Sequence, residues 1–189
     1  MTYNFLKYID NTWTLFLDRD GVINKRIWGG YVTKPSEYIF LPGVLASISV
    51  FSSIFNRIII VTNQQGIGKG IMTEEELQVV HDYMTKEINL AGGSIDGIYY
   101  CPELTNNANS CRKPSTSMAQ KAVDDFPDID LSKSIMVGDS PSDIEFGNNA
   151  GMYTVFIKHE NDKNSSVVSA DIILKSLPEL KTLIQKKKL

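Results

Sequence analysis

The sequence lacks a basic excess: lysine and arginine number 19 against 22 acidic residues, a formal charge of -3. That leaves no positive field for nucleic acid. Its one concentrated basic stretch, Lys186-Lys187-Lys188, reads as a solvated tail that also suits the negative end of a final helix. Long apolar runs are missing as well. Residues 39–55 are uncharged, but Pro42, Gly43 and four serines interrupt them, and 17 residues fall short of a membrane span. With Asp10 in the first ten residues and no apolar core before a small-residue cleavage site, no secretory signal is expected, and the expected location is cytoplasmic. Cysteine is scarce. Cys101 and Cys111 alone, in a chain expected to be cytoplasmic, argue against a disulfide framework and leave a metal loop or plain thiols. Internal repeats and low-complexity linkers are absent too.

What is present fits one domain, taken as residues 1–189, with 42% apolar residues and length for a sizeable core. Short β-rich runs alternate with helical patterns, which predicts a parallel sheet covered on both faces, an α/β Rossmann-like three-layer sandwich. Strands are expected at 14–17, 57–62, 97–100, 134–137 and 154–157, with a weaker one at 171–174. Helices are expected at 44–55, from the cap Thr73 to about Leu90, at 115–126, 142–150 and 178–187. Two long segments, 24–42 and 101–114, the latter holding Asn106, Asn107 and Asn109, read as binding loops too short for a second domain.

The chemistry starts at Phe16-Leu-Asp18-Arg-Asp20-Gly-Val-Ile-Asn24. Side chains at i and i+2 of a strand share a face, and an open parallel sheet places ligands beyond the carboxyl ends of its strands. Two carboxylates this close need a cation or a shared proton. Alone they would read as an acidic turn. Three later features change that. Thr62-Asn63-Gln64-Gln65-Gly66 gathers a hydroxyl and amides at a strand end, suited to phosphate oxygens. Arg112-Lys113-Pro114 fixes a lysine ahead of a helix, a point charge for a phosphoryl group in transit. Gly138-Asp139-Ser140-Pro141-Ser142-Asp143 adds two more carboxylates, Asp143 also forming a variant capping box with Ser140. The run Gly66-Ile-Gly-Lys69-Gly70 lacks the spacing of a nucleotide P-loop and gives no support for ATP.

Acid pair, threonine, lysine and acid, in that order, resemble the haloacid dehalogenase-like (HAD-like) phosphatases over residues 16–151. The resemblance implies a Rossmann-like core with minimal or no cap, an essential Mg2+ and an aspartyl-phosphate intermediate. It makes Asp18 the nucleophile and Asp20 the acid/base, with Thr62 and Lys113 holding the phosphoryl group. Mg2+ would be held by Asp18 and Asp139 through carboxylates and by Asp20 through its carbonyl, Asp143 supporting.

Within that superfamily Gly30-Tyr31-Val32, Leu41-Pro42-Gly43 and Cys111-Arg-Lys-Pro114 are similar to the D-glycero-D-manno-heptose 1,7-bisphosphate phosphatase and histidinol-phosphate phosphatase family. The short separations of 44, 51 and 26 residues between Asp18, Thr62, Lys113 and Asp139 suit its small cap. By the same resemblance Asn63, Gln64 and Arg112 would contact substrate and Lys69 a second phosphate. The expected substrate is the heptose bisphosphate, losing its 7-phosphate; histidinol phosphate or another small phosphate ester is the alternative. A phospho-acceptor signalling module or a silent scaffold are readings from other classes. A receiver domain would carry its accepting aspartate on a later strand, with the acidic pair before it. The departure lies before Arg112, where many family members bind zinc through Cys-x-His and Cys-x-Cys. Here Glu103 and Asn109 stand at two of those positions, so structural zinc is not expected, and Cys101, Glu103 and Cys111 leave at most a weak or partial site.

Overall fold

In the computed structural model, residues 4–105, 110–159 and 169–187 are described. Asn106, Asn107 and Asn109, named above, lie outside them, as does Lys188. Six parallel strands run in the order β3-β2-β1-β4-β5-β6: β1 Thr14–Leu17, β2 Arg57–Asn63, β3 Gly97–Cys101, β4 Ser134–Gly138, β5 Tyr153–Ile157 and β6 Ile172–Leu174. The helices are α1 Val44–Ser52, α2 Glu74–Leu90, α3 Ser117–Asp125, α4 Pro141–Asn149 and α5 Leu177–Lys187.

The strands sort their side chains by parity. Leu15, Leu17, Ile58, Ile60, Ile135 and Val137 point into one core with Ile48 and Phe51 of α1, Val80, Met84 and Ile88 of α2 and Leu180 and Ile184 of α5. Phe16, Ile59, Val61 and Met136 point the other way, onto Met118, Ala119 and Ala122 of α3 and Phe146 of α4. Both faces are covered, so the strands read as continuous apolar runs rather than alternations. Each fully buried side chain of this size contributes roughly 1.5–3 kcal/mol relative to exposure.

Local chemistry sets the ends. Thr73 and Glu76 close a reciprocal capping box on α2, and Ser140 and Asp143 do the same on α4. Helix α1 stops at Ser52, three residues before the expected end, where the Ser52 and Ser53 hydroxyls donate to the carbonyls of Ile48 and Val50. The segment Asn4–Tyr8, a 3-10 turn, stacks Phe5 on Tyr153 at 4.2 Å between ring centroids. No apolar periodicity announces so short an element. Among the described residues no helix is long and apolar enough to cross a membrane.

From β1 the chain steps to β2 and β3 on one side and later returns to place β4 on the other. The sheet therefore reverses its strand order between β1 and β4, and the crevice beyond their carboxyl ends is where open α/β sheets bind ligands.

Candidate active site

Asp18 is the first residue past β1 and Asp139 the first past β4, and the two strands are paired with Leu17 opposite Val137. Asp143 comes back toward them from the first turn of α4. Ligand atoms of Asp18, Asp139 and Asp143 all lie within 4.8 Å of one another, and all three residues are buried. Two glycines allow this approach. A Cβ on Gly21, whose φ is 97°, would land on the Asp139 carboxylate, and one on Gly138 would land on the Asp143 side chain.

Buried acids this crowded need positive charge. Lys113 supplies it from the protein side: its Nζ lies 2.7 Å from Asp18 Oδ1 and 2.6 Å from Asp143 Oδ1, and donates to the Val61 carbonyl at 2.8 Å. Burial disfavours the Lys113 charge, but Asp143 and Asp18 outweigh it and raise its pKa above the usual value. Lys113 does not neutralise everything. Burial first, with Asp143 and Asp20 adding and Lys113 opposing, pushes the Asp18 carboxyl up to about 6. Asp139 is pushed up to about 8 by burial and then by Asp18, although Arg26 opposes. Such a set of hard oxygen donors fits Mg2+, which favours carboxylates together with a substrate phosphate.

Asp20 has a different environment. Burial would raise its pKa, but Arg19, at 2.9 Å, and hydrogen bonds from Asn24 and Gln64, each at 2.8 Å, outweigh that and hold it below the ordinary carboxylate value. Arg19 is fully buried, and its second terminal nitrogen lies 3.1 Å from His81 Nε2. Arginine has no acceptor, so His81 Nε2 accepts and the ring is neutral with its proton on Nδ1. Burial first, then Arg19, lowers the His81 pKa to about 3.

The acids open into a cleft of about 380 Å3 that Asp18, Asp20, Thr62, Asn63, Lys69, Arg112, Lys113 and Asp143 line. Thr62, next to last in β2, has its hydroxyl accepting from Gln64 at 2.9 Å, and Asn63, which ends the strand, accepts the Lys113 N–H through Oδ1 at 3.0 Å. Lys69 donates to the Tyr31 hydroxyl at 3.1 Å. Gln64, expected at substrate, is turned inward and 1% exposed, with its amide on Asp20 and Thr62; Gln65 lines the cleft instead. Sequence reading missed Arg26, whose guanidinium donates to Asp139 Oδ1 at 2.6 Å across 113 residues of chain. It also missed His81 and His159, the latter 2.9 Å from the Gly21 carbonyl oxygen and 3.7 Å from Asp139 Oδ2. No motif spacing points to any of these. Only Arg19, between the two acids, carried a signal by position.

The cysteines correct an expectation. Rather than plain thiols or a metal loop, Cys101 and Cys111 form a disulfide, their Cα atoms 5.5 Å apart. The fold, rather than the expected compartment, decides their proximity. Cys101 ends β3, and the chain returns to place Cys111 two residues before Lys113, within the span a disulfide bridges. Glu103, third member of this cluster, accepts the Cys111 N–H at 3.1 Å. Two bonded sulfurs and one engaged carboxylate do not fit a structural zinc, which takes four donors with cysteine as thiolate.

Comparison with known proteins places this geometry in context. A family model described as HAD-hydrolase-like matches residues 110–180. The chain is 40% identical over 152 residues to the D-glycero-alpha-D-manno-heptose-1,7-bisphosphate 7-phosphatase of Campylobacter jejuni, covering 80% of this chain and 86% of the relative. Identity is 37% over 137 residues to the enzyme of that name from Mycobacterium tuberculosis, 72% of each chain. Among solved structures, the D,D-heptose 1.7-bisphosphate phosphatase from B. bronchiseptica, complexed with magnesium and phosphate, aligns with a TM-score of 0.83 at 27% identity, covering 93% of this chain and 99% of that one.

Proposed function

The chain belongs to the heptose-1,7-bisphosphate 7-phosphatase family of HAD-like hydrolases, and from that membership we propose that it removes the 7-phosphate of D-glycero-D-manno-heptose 1,7-bisphosphate with Mg2+ and an aspartyl-phosphate intermediate. The observation that supports this best is the pairing of Asp18 with Lys113 at 2.7 Å at the strand-order reversal, one wall of a cleft that also holds Asp20, Arg112 and Lys69. Residues 1–189 would act as one domain. The names of both relatives specify the alpha anomer, so that form is the first to assay.

In this reading Asp18 and Asp139, the Asp20 carbonyl, and Asp143 in support would hold Mg2+, which when bound neutralises phosphoryl charge and aligns the group for in-line attack. The chain's own residues carry the rest. Lys113 and Thr62 hold the phosphoryl oxygens while an oxygen of Asp18 bonds to phosphorus and the bond to the sugar oxygen breaks. Asp20 gives the leaving oxygen its proton. It then takes a proton from water as that water attacks phosphorus and releases Asp18 and inorganic phosphate. Arg19, Asn24 and Gln64 hold Asp20 ionised in the free protein, so the first proton must arrive with the substrate. A phosphate monoester, whose second ionisation lies near pH 6, can bring it. Asn63, Gln64 and Arg112 are proposed for substrate recognition, Gln64 by way of Asp20, and Lys69 for the second phosphate.

The test is Mg2+-dependent phosphate release across a panel of heptose bisphosphate anomers, histidinol phosphate and other small esters. A preference for heptose bisphosphate of at least about tenfold in kcat/KM, equivalent to about 1.4 kcal/mol, is expected. A smaller margin over histidinol phosphate would sink the substrate assignment.

A further inference from the structure

Two cations hold the acid cluster, and they differ in freedom. Lys113 lies beneath it, 1% exposed, while the Arg26 side chain is 30% exposed and lines the cleft with Lys69 and Arg112. Arg26 takes Asp139 Oδ1 at 2.6 Å, and its guanidinium lies 5.6 Å from the ring centroid of Trp28, itself 74% exposed. Burial opposes the Arg26 charge, but Asp139, then Asp18, Asp143 and Asp20 outweigh it, so this one side chain senses all four acids from the open side.

We propose that Arg26 is an exchangeable cation: it neutralises Asp139 in the metal-free protein, leaves that carboxylate when Mg2+ takes it, and then binds a phosphate oxygen in the cleft. The inference rests on the metal reading given above. An arginine cannot yield by losing its proton, so it must move. Mg2+ demands close octahedral oxygen ligands and would repel a guanidinium on the same carboxylate. Once displaced, Arg26 remains beside the phosphoryl group, and its planar fork matches phosphate oxygens. One residue then links metal loading to substrate capture, with opposite signs for the two ligands.

That opposition makes the test specific. Mg2+ alone is titrated calorimetrically into substrate-free wild type, Arg26→Gln, Arg26→Lys and Asp139→Asn, with thermal melts to confirm folding. Inorganic phosphate is then titrated at saturating Mg2+. Removing the competing cation in Arg26→Gln should tighten Mg2+ binding by about fivefold, and loss of the fork should weaken phosphate binding by about tenfold. Arg26→Lys keeps a competing charge and should hold Mg2+ affinity within about twofold of wild type, while still weakening phosphate. Unchanged or weaker Mg2+ binding in Arg26→Gln, or unchanged phosphate binding, overturns the exchange. Wild type that binds no Mg2+, or Asp139→Asn that binds it like wild type, overturns the metal reading and the exchange with it.

Discussion

His81 does not line the cleft, yet it holds Arg19, which in turn holds the proposed acid/base: His81 Nε2 accepts from Arg19, and Arg19 donates to Asp20 at 2.9 Å. A neutral ring beside a buried guanidinium has a thermodynamic signature. The folded-state pKa is depressed to about 3 from an ordinary 6.5. The unfolded chain therefore binds the proton more readily, and the His81 contribution is complete above about pH 6.5 and lost as pH falls toward 3. Between pH 7 and pH 5 wild type should lose up to about 2 kcal/mol of stability relative to His81→Gln, measured by urea unfolding. Asp18 and Asp139, with raised values, give the opposite slope in both proteins, which is why the difference between them is the quantity to read. Parallel curves for the two proteins would remove His81 from this role. None of this was legible in the sequence, because a histidine on the apolar face of a helix has the same pattern whether or not an arginine from another element meets it.

The elements themselves were readable to within a few residues, because strands buried on both faces and helices with polar caps leave strong patterns. Residues 14–17 form β1 as expected, and Ser140 with Asp143 caps α4 as their spacing implied. The segment between β3 and α3 was read less well. Nothing in a pair of cysteines ten residues apart states whether they close a loop, bind metal or stay free; the return of the chain to the β3 end decides it. That closure sits two residues from Lys113. Chain entropy for a loop of this size gives about 3 kcal/mol at most. Cys101→Ser/Cys111→Ser, or the wild type under strong reductant, should melt several degrees lower, by roughly 2–4 °C per kcal/mol. Identical melting curves in calorimetry would show that the disulfide does not hold this loop.

At the scale of the molecule, one topological fact organises the site: the sheet turns back on its strand order between β1 and β4, so Asp18 and Asp139 leave adjacent strands into the same crevice. Lys113 and Asp143 reach it from segments packed on one face, and the segment after β1 brings Arg26 over its open side. The order acid pair, threonine, lysine, acid along the chain was the readable trace of that convergence. Of the ion pairs that balance it, Arg19 with Asp20 left only a trace, its place between the two acids, and Arg26 with Asp139 left none, since that pair depends on which side chains the crevice brings into reach. The central claim is that Asp18 carries the phosphoryl group and Asp20 releases it. The direct measurement is peptide mass spectrometry of Asp20→Asn, mixed with excess heptose bisphosphate and Mg2+ and quenched in acid. A phosphoryl group accumulating on Asp18 is the predicted result; a phosphoryl group on another residue, or turnover by Asp18→Asn at the wild-type rate, would contradict it.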